Sequence, residues 1–252
     1  DSKNKLDYVP GLVAKSMILI FAGGSGTRMN SRAKPKQFLQ LYGKEIIIHT
    51  LENFQNHPEI DNIVVVCKED WIKILWKLLD KYDLDKVKWV VPGGETGQIS
   101  IYNGLAELEK HCPADSIVLV HDGVRPFVND DLISNCIKSV KEHGSGITVV
   151  PAIETIVTTE DNKIKTITDR SKCSLARAPQ SFYLGELLEA HRKAQKEGKI
   201  NMIDSACLMQ YYGHELYTVP GNFDNIKITT PADFYTSRAL YEVRENQQIF
   251  GL

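Results

Sequence analysis

The sequence predicts an α/β fold: a Rossmann-like, three-layer α/β/α arrangement built on a mostly parallel sheet, with a protruding β-arm. Two observations carry that prediction. Between residues 17 and 150, short Val/Ile-rich runs alternate with longer segments of helical period, and the runs are continuously apolar, as in strands covered on both faces. After Pro151 the alternation stops and two short β segments surround Glu160-Asp161-Asn162, a turn-rich tip. The arm is therefore an insertion in the α/β unit.

Taken in order, residues 1–16 mix charge with Pro10 and Gly11 without a period and are read as a leader or tag-like segment, which leaves 17–252 as one domain. A strand over 17–21 opens that domain. Helix and strand then alternate: helix 46–56, strand 63–67, helix 70–82, strand 87–91, helix 98–110, strand 116–120, helix 130–143, strand 146–150. The arm, 151–175, carries β segments at 155–159 and 163–168. Helices follow at 184–197 and 203–212, then a short strand at 215–219 and a closing amphipathic helix at 231–246. In such a fold, ligands belong at the carboxyl ends of the strands.

Composition removes several function classes. Thirty Lys+Arg against 32 Asp+Glu give a formal charge of −2, which offers no general footprint for nucleic acid or an anionic membrane. Any phosphate must be caught by a local site. The longest apolar runs fall far short of the roughly 20 residues that span a bilayer. The 5 cysteines are odd in number and scattered, so neither a zinc cluster nor a disulfide framework is expected, and a cytoplasmic location is.

The first chemical signal is Ala22-Gly23-Gly24-Ser25-Gly26-Thr27-Arg28-Met29, directly after the first strand. Glycines are costly to order unless backbone must approach a ligand closely, and inward N–H groups cradle phosphate oxygens. The spacing is neither the dinucleotide G-x-G-x-x-G nor the Walker G-x-x-x-x-G-K-[ST] pattern. Arg28 and, eight residues on, Lys36 in Lys34-Pro35-Lys36-Gln37 place cations beside the loop, as an anion site requires.

This loop with its Pro-Lys-Gln, followed by Val91-Pro92-Gly93-Gly94-Glu95, His121-Asp122-Gly123-Val124-Arg125-Pro126, Ala178-Pro179-Gln180 and Asn225-Ile226-Lys227-Ile228-Thr229-Thr230-Pro231, resembles the cytidylyltransferases of polyol phosphates from Met17 to about Ala239. The resemblance implies a nucleotidyltransferase fold and a reaction in which a polyol phosphate attacks the α-phosphorus of CTP, releasing pyrophosphate without a covalent enzyme intermediate. It implies catalytic cations at Arg28, Lys36 and Lys227, which grip the triphosphate and oppose the charge of the transition state. Ala22, Gly23, Gly24, Ser25, Gly26 and Thr27 would bind nucleotide, and Gly94, Glu95 and Ser100 would read cytosine. Asp122 would hold Mg²⁺ against the triphosphate and face the polyol phosphate together with Arg125, Thr155 and Arg170. His121 is read as a structural neighbour. The arm of relatives completes a second subunit's site, so a homodimer through 151–175 is expected.

Two departures from many methylerythritol-phosphate enzymes bear on the acceptor: Gly97 in place of an arginine, and Ala178 in place of a threonine before Pro-Gln. They reshape the polyol pocket, with Arg177 available to compensate, and favour ribitol 5-phosphate over 2-C-methyl-D-erythritol 4-phosphate. Sugar 1-phosphate nucleotidyltransferases share the loop but generally lack the combined later motifs. A non-catalytic nucleotide-binding module would be expected to have lost the cations, which are retained at Arg28, Lys36 and Lys227, together with Asp122.

Overall fold

The computed structural model describes residues 12–23 and 34–251. The first strand, β1 (Ser16–Ala22), is buried along nearly its whole length. It begins one residue earlier than expected, and Lys15 already joins the sheet, its carbonyl accepting from the Ile117 amide at 2.8 Å. A 3₁₀ turn at Lys36–Phe38 and the short pair β2 (Gln40–Leu41) and β3 (Lys44–Glu45) lead into α1 (Ile46–Gln55). Then follow β4 (Asn62–Cys67), α2 (Glu69–Lys81), β5 (Val87–Pro92), α3 (Gly97–Glu109), β6 (Ile117–Asp122), α4 (Asp130–His143) and β7 (Ser145–Pro151). The arm holds β8 (Val157–Glu160) and β9 (Lys163–Ile167). The chain returns as β10 (Ser174–Tyr183), α5 (Leu184–Lys196), α6 (Ser205–Tyr211), β11 (Thr218–Pro220) and α7 (Pro231–Phe250).

Seven strands form one sheet in the order β11-β7-β10-β6-β1-β4-β5. The β1–β4, β1–β6, β4–β5 and β11–β7 pairs are parallel, and β10 pairs antiparallel with both β6 and β7. Both faces are covered. On one, Ile18, Ile20, Ile63 and Val65 of the sheet pack with α1, α2 and α4. On the other, Met17, Leu19, Val64 and Val66 pack with α3, α5 and α6. Because successive residues of a strand point to opposite faces, two buried faces require the unbroken apolar runs seen in the sequence. Gly104 lets α3 lie close on the sheet: a Cβ there would stand 2.6 Å from Leu19 Cδ1 and 2.8 Å from Val66 Cγ2.

The strand β10 is absent from the sequence-based reading, which places no element over 176–183. Pro179 lies within it, and a proline argues against a central strand because it cannot donate to the ladder. The fold resolves this with a register irregularity between Ala176 and Gln180 that lifts Arg177, Ala178 and Pro179 out of the pairing with β7. Side chains take over the three carbonyls so released. The Arg177 carbonyl accepts from Gln180 Nε2 (3.3 Å), that of Ala178 from Asn225 Nδ2 (2.8 Å), and that of Pro179 from Thr148 Oγ1 (2.7 Å).

The arm is a hairpin, as expected. Asp161 and Asn162 form its tip with φ of 50° and 59°, a left-handed pair that these two residue types tolerate and that suits a two-residue turn. Every residue of β8 and β9 is exposed. Among the described residues, no helix is long and apolar enough to cross a membrane.

Candidate active site

The apolar run of β6 ends in His121-Asp122, which delivers a carboxylate to the carboxyl end of a central strand. Asp122 Oδ2 accepts from Arg125 Nε at 2.9 Å, and Oδ1 accepts from Lys227 Nζ at 3.0 Å. Arg125 Nη1 also donates to the Asn225 carbonyl at 2.8 Å, and the Ile228 amide donates to the Val124 carbonyl at 2.9 Å. These bonds draw Asp122, Arg125 and Lys227 into one cluster across a hundred residues of chain. Burial alone would raise the Asp122 carboxyl, but Lys227 and Arg125 beside it overcome that and hold it down at about 2. His121 stands behind the cluster. Its Nε2 bonds the Arg125 carbonyl at 3.0 Å, its ring meets Phe54 edge-on, and burial pushes it down to about 4, which favours the neutral ring.

The nucleotide motifs meet on the β1–β5 flank of this cluster. A Cβ on Gly23 would lie 3.6 Å from Ser100 Oγ, and one on Gly93 would lie 3.1 Å from the same atom, so the end of β1 and the turn after β5 close on Ser100. The Ser100 hydroxyl accepts from the Gly94 amide (3.0 Å) and donates to the Thr96 carbonyl (2.8 Å), which gives it a place inside the turn, holding Gly94 and the exposed Glu95 in position. Gln37 Nε2 donates to the Ala22 carbonyl and so anchors the Pro-Lys-Gln segment, Lys36 included, to the end of β1. The expectations for Gly24, Ser25, Gly26, Thr27 and Arg28 fall outside the described residues.

A cleft of about 540 Å³ opens beside the cluster, lined by Asp122, Arg125, Lys227 and Arg177 and also by Gln180, Asp204 and His191. Gln180 donates to Asp204 Oδ2 at 3.0 Å and accepts from the Ala206 amide at 2.9 Å, which fixes this part of the wall. The sequence reading assigned no role to Gln180, although it stands in the Ala-Pro-Gln motif. His191 and Ser205, which also line the cleft, stand in no motif of the sequence and gave no signal there. Thr155 and Arg170 do not reach this chain's own cleft. Both are exposed on the arm, where Arg170 Nη1 donates to the Ile153 carbonyl at 2.8 Å.

Each carboxylate oxygen of Asp122 has one side-chain donor, which leaves a lone pair on each. No group of three or more His, Cys, Asp and Glu able to hold a metal occurs among the described residues. A lone carboxylate does not form a protein cage, but it fits Mg²⁺, which commonly takes one carboxylate and completes its shell with phosphate and water.

The family model described as "IspD: 2-C-methyl-D-erythritol 4-phosphate cytidylyltransferase" matches residues 16–242. The chain belongs to this family. Within the IspD family it is 52% identical over 237 residues (94% of this chain and 100% of the relative) to a protein of Vibrio parahaemolyticus named ribitol-5-phosphate cytidylyltransferase. It is 37% identical over 231 residues (91% and 99%) to a Clostridium botulinum protein named 2-C-methyl-D-erythritol 4-phosphate cytidylyltransferase. Among solved IspD structures, that of Francisella tularensis 2-C-methyl-D-erythritol 4-phosphate cytidylyltransferase aligns with a TM-score of 0.75 at 30% identity, covering 90% of this chain and 99% of that one. The mostly parallel sheet with flanking helices is thus the IspD nucleotidyltransferase fold, and the chain is a nucleotidyltransferase of the cytidylyltransferase type.

Proposed function

We propose that this protein transfers CMP from CTP to D-ribitol 5-phosphate, giving CDP-ribitol and pyrophosphate. A phosphate oxygen of the acceptor forms a bond to the α-phosphorus as the bond from that phosphorus to the bridging oxygen of pyrophosphate breaks. The observation that carries the acceptor is the 52% identity to the whole length of a relative bearing that name, against 37% for one named for 2-C-methyl-D-erythritol 4-phosphate. The reaction asks the protein to neutralise, orient and stabilise charge. Lys227 meets the developing charge on the α-phosphoryl oxygens, and Arg125 holds the acceptor phosphate beside it. Arg28 and Lys36 grip the triphosphate from the glycine-rich side. The turn at Gly94 and Glu95, held by Ser100, reads the cytosine edge. Asp122 keeps Arg125 and Lys227 in register and serves as the protein's ligand for Mg²⁺, which when bound offsets phosphate charge.

The site is completed by a second copy of the chain, whose arm brings Thr155 and Arg170 to the acceptor. Supporting this, Ile153, Ile164 and Ile167 are exposed at 68%, 59% and 69% on a hairpin too small to bury them itself.

The test is a panel of CTP with D-ribitol 5-phosphate, 2-C-methyl-D-erythritol 4-phosphate and sugar 1-phosphates, read by pyrophosphate release. The highest kcat/KM is expected with ribitol 5-phosphate. A higher value with the methylerythritol substrate would replace this reading with the activity for which the family model is named.

A further inference from the structure

Arg177 emerges from the irregular stretch of β10 and meets Arg125 in the charged end of the cleft. The two guanidinium groups share an acceptor: Arg125 Nη1 donates to the Asn225 carbonyl at 2.8 Å, and Arg177 Nη1 donates to it at 3.1 Å and to the Phe223 carbonyl at 2.8 Å. Arg125 has a carboxylate partner in Asp122, whereas Arg177 hydrogen-bonds only main-chain carbonyls among the described residues, and its Nε and Nη2 remain uncommitted. Asp224 lies near enough to attract Arg177 but is bonded to Arg244 Nη2 at 3.0 Å. Partial burial, and after it the repulsion from Arg125, holds the Arg177 guanidinium below its ordinary value. Two like charges that share one carbonyl at a cleft, one of them with no carboxylate bonded to it among the described residues, are an arrangement that a dianion relieves.

Topology decides which phosphate that is. The glycine-rich loop follows β1 and the Gly94 turn follows β5, both on one side of β6 in the sheet, whereas β10 lies on the other side. Asp122 and Lys227 stand between. A triphosphate held from the β1–β5 side and an anion held from β10 would meet at Lys227, as an in-line transfer requires.

We propose that Arg177, with Arg125, clamps the phosphomonoester of the acceptor polyol. The inference rests on the cytidylyltransferase reading above and deepens it: the clamp recognises the phosphate and leaves the rest of the acceptor to the remainder of the cleft. Three main-chain carbonyls of the 222–225 loop hold Nη1 of the guanidinium, so it is positioned before the acceptor arrives and loses little freedom on binding.

Steady-state kinetics on Arg177→Gln and Arg177→Lys, with each substrate varied at saturating levels of the other, tests this. Glutamine keeps an amide donor for the carbonyls and removes the charge. It is expected to raise KM for ribitol 5-phosphate about 10- to 100-fold while KM for CTP stays within about 2-fold, and lysine is expected to recover part of the loss. An unchanged acceptor KM, an equal rise in both KM values, or lysine no better than glutamine would overturn the clamp. If the wild-type protein prefers 2-C-methyl-D-erythritol 4-phosphate, the ribitol assignment fails, and the clamp is judged by the same KM ratio with that acceptor, which also carries a phosphomonoester. If neither acceptor turns over, calorimetric titration of ribitol 5-phosphate decides it. Weaker binding to Arg177→Gln than to wild type supports the clamp, and equal binding or none to wild type overturns it.

Discussion

Asp122 holds two cations at once, and its replacement therefore has two effects. In Asp122→Asn the bonds from Arg125 Nε and Lys227 Nζ lose their charged acceptor, and the proposed Mg²⁺ site loses its only protein carboxylate. The expected result is a lower kcat with a higher Mg²⁺ concentration for half-maximal rate, measured by pyrophosphate release across a magnesium titration. An unchanged magnesium dependence would remove Asp122 from the metal site. Lys227→Ala should lower kcat by about 10²–10³-fold, the usual loss for one preorganised donor at a charge-developing centre, measured at saturating magnesium. The Asp122–Arg125 contact was legible in the sequence, because a carboxylate at the end of an apolar strand and an arginine three positions later form a local pattern, whereas Lys227 was pointed to by the family resemblance alone and reaches Asp122 through tertiary structure. The surroundings of Arg177 were not legible, since they depend on carbonyls of residues 222–225 brought up by tertiary structure.

Among the elements, the βα alternation was readable throughout 17–150, because buried parallel strands and amphipathic helices leave distinct periods. The strand β10 was not, because Pro179 and the small residues around it lack a strand's signature and the bonds that accommodate them come from Thr148 and Asn225. The arm was readable from its tip. Its exposed isoleucines carry a further expectation: Ile167→Asp should convert a dimer to a monomer in light scattering coupled to size-exclusion chromatography and should lower kcat/KM for the acceptor. A wild-type protein that is monomeric and fully active would end the shared-arm proposal.

At the level of the whole molecule, two buried histidines contribute to the loss of stability toward acid. Burial pushes His121 and His191 to about 4 from an ordinary 6.5, and neither ring nitrogen of His191 has a hydrogen-bond partner among the described residues. Between pH 6.5 and 4 the unfolded chain therefore binds more protons at these positions than the folded one, so stability falls as pH drops through that window and is insensitive to them above it. Thermal unfolding between pH 7.5 and 5 should show Tm falling toward acid, and His191→Phe should flatten the slope. A Tm independent of pH over this range would refute the assignment.

The 222–228 segment connects both halves of the chemistry. Its Asn225 carbonyl is gripped by two arginines, its Asn225 amide supports the Ala178 carbonyl, and Lys227 projects two positions later. Under the proposed clamp, acceptor capture and attack on CTP would be linked through one short span of backbone. A polyol phosphate settling against the arginines would tug on the same peptide that aims the lysine, so docking of the second substrate and readiness for transfer become a single event.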